Sequence, residues 1–133
     1  MRRILIGLAV AFSVSCGGSG IVGSSTVHGA YTLQTINGSP LPYTTVASGT
    51  SKTEITDDVI TLYEGGTYAE SGHSRITVNG QVTNQTNTKS GSYQLLGNSV
   101  SLLNNASGQL SFALIDGNTM TIVENGMTSV FTK

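Results

Sequence analysis

Residue pairs suited to positive φ punctuate the sequence at short intervals. Asn37-Gly38, Gly65-Gly66, Asn79-Gly80, Gly97-Asn98, Asp116-Gly117-Asn118 and Asn125-Gly126 each separate two runs rich in Thr, Val, Ile, Leu or Tyr. Such turns join neighbouring strands in order, so the chain is expected to be an antiparallel meander. Apolar recurrence at i, i+3, i+4 and i+7 is missing from every window of ~11 residues or more after the N-terminal segment, which predicts no helix there. The 18 Thr favour strands, while 17 Gly, 17 Ser and 9 Asn among 133 residues favour turns.

Between the turns, alternation selects one face of each strand. Tyr31 and Leu33, Ile60 and Leu62, Tyr93 and Leu95, Val100 and Leu102, Leu110, Phe112 and Leu114, and Met120 and Ile122 are each spaced by two. Successive side chains on a strand point to opposite faces, so these sets are expected to line one interior surface. A sheet with one apolar and one polar face avoids exposed edges by curling shut. The expected fold is therefore all-β, an antiparallel up-and-down meander closing into a small barrel of about eight strands. Pro40-Leu41-Pro42 is expected to bend at the barrel rim, because proline cannot donate to a ladder. Asn84 to Ser92 contains no apolar residue and reads as either an exposed loop or a polar edge strand.

Residues 1–15 have a different purpose. Arg2 and Arg3 precede an 11-residue apolar or small run, Ile4 to Val14, which ends at Ser15 and Cys16. This is the layout of a secretory signal peptide, and the run falls short of the ~20 apolar residues that span a bilayer. Ser13-Val14-Ser15-Cys16 resembles the lipobox of bacterial lipoproteins, with Ser13 where Leu is usual. The resemblance implies cleavage before Cys16, acylation of its thiol and anchoring to the membrane of a bacterial cell envelope. Acyl chains supply the multiple signals that stable anchoring needs. Gly17 rather than Asp after the cysteine implies the outer membrane over the inner. Residues 16–28 then read as the lipidated cysteine and a Gly/Ser-rich tether, and residues 29–133 as the barrel domain.

Within that domain, Gly29-Ala30-Tyr31-Thr32-Leu33, Ile36-Asn37-Gly38, Leu41-Pro42, and Leu62 through Gly65-Gly66-Thr67-Tyr68 resemble small bacterial lipocalin-like lipoprotein domains, which have calycin-type barrels. Tyr31 stands where Trp is usual, and the stretch to Lys133 lacks the C-terminal helix of true lipocalins. The resemblance implies a barrel and a small apolar or amphipathic ligand inside it. The candidate interior residues are Tyr31, Leu33, Leu62, Tyr68, Tyr93 and Phe112. The alternative is an envelope interaction or inhibitor protein with a filled core, because one scaffold serves many functions.

Chemistry finds little purchase. His73 lies three residues after Glu70, an odd spacing that puts them on opposite faces of a strand, and His28 lies in the tether. With one Cys and two His, no metal site and no cofactor are expected. No G-x-S-x-G elbow is present, and Asp57-Asp58, Asp116 and Glu124 read as solvated positions beside turns or strand ends. An enzyme is not expected. Lys52, Arg75, Lys89 and Lys133 form no basic stripe, which argues against nucleic acid. The expected partners are the membrane, through the lipid, and a small ligand, and the expected state is a monomer.

Overall fold

The computed structural model describes residues 26–133, so the expected signal peptide, Cys16 and most of the expected tether lie outside the described residues. The described residues form ten strands and no helix: β1 (Gly29–Ile36), β2 (Ser39–Pro40), β3 (Tyr43–Ser48), β4 (Ser51–Leu62), β5 (Thr67–Val78), β6 (Gln81–Leu96), β7 (Ser99–Asn104), β8 (Leu110–Asp116), β9 (Thr119–Glu124) and β10 (Met127–Thr132). Eight of them, in the order β1-β10-β9-β8-β7-β6-β5-β4, form a ring that closes where β4 pairs with β1. β2 and β3 stand outside it. The all-β up-and-down barrel expected from the alternation is the fold observed.

The turn chemistry works as the sequence implies. Asn37, Asn79 and Asn125 have φ of 51°, 52° and 51°, and the Gly after each is also at positive φ. These are two-residue turns whose twist matches that of the flanking strands. The Asn37 Oδ1 also accepts from the Thr128 backbone N–H at 2.8 Å, and the Asn37 N–H donates to the Thr128 carbonyl at 2.8 Å. The first hairpin is thereby latched to the last strand.

Inside the ring, Tyr31, Ile36, Ile60, Leu62, Val100 and Met120 are fully buried and pack with Leu33, Tyr68, Tyr93, Leu102, Ile115, Ile122 and Phe131. The alternation on β1, β4, β7 and β9 thus points inward as expected. On β8 it is reversed. Ser111, Ala113 and Ile115 face in, while Leu110, Phe112 and Leu114 face out. The two-residue turn at Gly117-Asn118 pairs Ile115 with Met120 and Ala113 with Ile122. Because Met120 and Ile122 point inward, their β8 partners must as well.

The three long strands outrun the barrel. β4 pairs with β1 only over Val59–Leu62, while its Ser51–Ile55 half pairs with β3. β6 pairs with β7 from Gly91 onward. Its earlier half pairs with β5 alone, and from Gln81 to Lys89 its other edge has no strand beside it among the described residues. A four-stranded fin, β3-β4-β5-β6, therefore projects from one end of the barrel. An irregularity between Ile55 and Asp57, where the Thr56 Oγ1 donates to the His73 carbonyl at 3.1 Å, marks the place where the sheet leaves the ring. The polar segment Asn84–Ser92 is thus part of a strand, and most of it forms the fin's free edge. Its Thr, Asn and Lys side chains suit an edge that must not recruit other strands.

Across the fin, Glu54 is buried beneath two cations. Lys52 Nζ lies 2.7 Å from one carboxylate oxygen, and Arg75 Nε and Nη2 lie 2.9 and 2.8 Å from the other. The Lys52 hydrogen bond outweighs the burial and, with Arg75, holds the Glu54 carboxyl below its usual range.

Candidate functional site: the polar mouth of the barrel

The expected interior residues divide sharply. Tyr31, Leu33, Leu62, Tyr68 and Tyr93 are all buried in the core, whereas Phe112 is 60 % exposed on the outer wall. Phe112 cannot line the interior, for the parity reason given above. The Tyr31 hydroxyl donates to the Val27 carbonyl at 2.8 Å, and Lys133 Nζ sits 5.0 Å above its ring. Lys133 Nζ also reaches the Thr26 and His28 carbonyls. Val27 and His28, assigned to the tether from sequence, are therefore seated on the barrel end. The Tyr93 hydroxyl donates to the Tyr63 carbonyl at 2.9 Å, and burial, then Tyr31 and Glu64, push its pKa up. These tyrosines have spent their polar tips on the fold.

With that end filled, free space lies at the opposite end, where the fin departs. A cavity of about 120 Å³ opens there over a floor that includes Ile60, Tyr68, Leu102, Ile122 and Phe131. Its walls are polar: Asp58, Glu70, Lys89, Asn104, Gln109, Ser111, Glu124 and Ser129. Asp58, Glu70 and Lys89 also line a neighbouring recess of about 240 Å³ on the root of the fin. They stand where barrel and fin meet.

Three carboxylates share one ammonium at this mouth. Lys89 Nζ donates to Glu70 Oε1 at 2.7 Å. Burial opposes the charge on Lys89, but the Glu70 bond and the charges of Glu70, Asp58 and Glu124 reverse that and raise its pKa. Glu124 Oε1 accepts from Gln109 Nε2 at 2.5 Å and from Ser111 Oγ at 3.2 Å. Asp58 is left over. Its Oδ1 is buried without a hydrogen-bond partner, and burial, with the charge of Glu70, pushes its pKa up to about 6. The Tyr68 hydroxyl below is raised too, by burial first and then by Glu70.

From sequence, Asp57-Asp58 and Glu124 are expected to be solvated. Asp58 instead sits within β4 and, paired with Gly72, faces inward. The signal was parity, since Asp58 shares its spacing with Ile60 and Leu62 just as Glu70 does with Tyr68. Asp57 faces the other way and hydrogen-bonds His73 Nδ1 at 2.6 Å. As the odd spacing implied, His73 and Glu70 occupy opposite faces. No cluster of three or more His, Cys, Asp or Glu poised for a metal occurs among the described residues.

On the outer wall a shallow groove of about 610 Å³ runs from Val59, Thr61 and Tyr63 across Ser71 and Thr88 to the turn at Asn104 and Ala106. No family model, curated protein or solved structure matches the chain.

Proposed function

We propose that this chain is an exported lipoprotein of lipocalin-like type, anchored through Cys16 to a bacterial envelope membrane, the outer one where there are two. Its barrel acts without catalysis, by surface contact with other envelope components. The observation that carries this reading is the packed interior. Side chains from all walls meet in the core, and the remaining cavity of about 120 Å³ is well below the ~300–1,000 Å³ of typical small-molecule sites. The accessible features are outside the ring: the fin with its unpaired edge, the outer groove and the apolar wall bearing Phe112.

A second reading draws on the mouth. Three carboxylates around one ammonium, with an unpartnered Asp58 oxygen, suit the cationic head of a small amphipathic molecule whose tail lies along the fin root. Native mass spectrometry of the protein purified from its own envelope separates the two. Surface action predicts the mass of the acylated chain alone, and a stoichiometric small-molecule adduct overturns it in favour of the mouth. Anchoring has its own readout, since Cys16→Ser should abolish acyl labelling and move the protein to the soluble fraction.

A further inference from the structure

The barrel end opposite the fin collects one set of features. β4 ends there at Leu62 and β5 begins at Thr67; β6 ends at Leu96 and β7 begins at Ser99; β8 ends at Asp116 and β9 begins at Thr119. Hydrogen bonds knit this rim together: Tyr93 N–H to the Gly66 carbonyl at 2.7 Å, Ile115 N–H to Asn98 at 2.8 Å, and Lys133 N–H to Asn118 at 3.0 Å. The described chain also enters here, since Val27 and His28 are held at the start of β1 by Tyr31 and Lys133.

This rim is more apolar than a solvated end requires. Leu96 is 85 % exposed at the β6–β7 tip, and Leu95 beside it, Tyr63 on the neighbouring turn and Leu114 across β7 are exposed too. The charged groups near it, His28, Glu64, Asp116 and Lys133, are mixed in sign. Lys52 and Arg75 lie on the fin, and Lys89 lies at the mouth. Attraction of this rim to a surface would therefore be apolar rather than ionic.

The chain outside the structure says which surface. From Cys16 to Thr26 are ten residue steps, which span at most ~36 Å when fully extended. β5 alone, at 12 residues, runs ~40 Å from the rim to the tip of the fin. A barrel anchored at Cys16 keeps this rim nearest the bilayer. We propose that the rim is a lipid-contact surface: Leu95 and Leu96, flanked by Tyr63 and Leu114, enter the interfacial layer of the membrane that holds Cys16, and the fin points away from it. The inference rests on the reading of Cys16 as acylated.

The test uses full-length chains carrying Asn98→Cys at the tip or Thr83→Cys on the fin, labelled with a polarity-sensitive fluorophore in isolated host membranes. The label at 98 should be blue-shifted and quenched by nitroxide lipids, while that at 83 should report water. Leu95→Ser with Leu96→Ser should abolish the shift at 98 and leave acyl labelling intact. A label at 98 as wet as that at 83 overturns the proposal, as does a 98-to-98 cross-link showing that a second copy covers the rim.

If the unmodified chain proves soluble, the anchor reading fails by itself. The rim is then judged by flotation of the soluble full-length protein with phosphatidylethanolamine and phosphatidylglycerol vesicles. Flotation reduced about tenfold or more by the two Ser substitutions upholds it, since two leucines leave the interface. No flotation overturns it.

Discussion

β4, β5 and β6 pass through two environments along one continuous ladder, and the contrast separates hydrogen bonding from burial. In the ring their inward residues, Ile60, Leu62, Tyr68 and Tyr93, meet the opposite wall and are lost to solvent. Farther along the same face, Ile55 still packs against the core, and beyond it in the fin come Thr53, Ile76 and Val78, outside the core cluster. Backbone pairing is as regular in one half as in the other, yet Val78 and Val46 remain exposed. Burial is the dominant favourable term in folding, so the barrel should hold most of the stability and the fin should open first.

The sharpest test lies at the boundary. At Gly91, β6 passes from the fin into the wall, and a Cβ there would lie 1.8 Å from the Leu103 carbonyl oxygen. Gly91→Ala should lower the unfolding free energy by about 3 kcal/mol or more, since backbone must move to admit it. A shift in denaturation midpoint worth less than ~1 kcal/mol would mean that the wall is not closed at that point.

Asp58, on the same boundary, should act in the opposite sense. Its pKa is about 6 against an ordinary 3.8, so the native state binds the extra proton between those values and stability falls as pH rises through that window. Above it the loss is complete, on the order of 2–3 kcal/mol for a shift of roughly two units. Asp58→Asn should recover about that much at pH 7.5 and flatten the profile between pH 4 and 6, as read by urea titrations across pH. An unchanged profile would mean that the carboxylate is solvated. The smallest effect belongs to the fin itself, where Val46→Ser should change stability by less than ~0.5 kcal/mol. A larger loss would show that the fin is covered in solution.

This contrast also explains what could be read from sequence. The ring was legible because one-sided burial imposes a period of two on β1, β4, β7 and β9, and because turn pairs such as Gly97-Asn98, Gly117-Asn118 and Asn125-Gly126 join its consecutive strands. The fin was not, since Asn84–Ser90 is exposed at every residue and nothing imposes a period on it. The outward placement of Phe112 was missed for a narrower reason. Alternation fixes which residues share a face but not which face is inside, and on β8 the more apolar set, Leu110, Phe112 and Leu114, is the outer one. Counting across the two-residue turn from Met120 would have settled it. At the mouth, carboxylates are by chemistry expected in solvent, whereas Asp58 and Glu70 keep step with buried neighbours.

The seam between β1 and β10, latched by Asn37 and Thr128, has a consequence in time. The strand that begins the ring is matched by one that ends only at Thr132. Until β10 is in place, β1 and β9 each present an open edge, and the ring cannot close. Pairing across so long a sequence separation is intrinsically slow. Closure of the ring therefore requires every strand of the ring from β1 to β10 to be available at once.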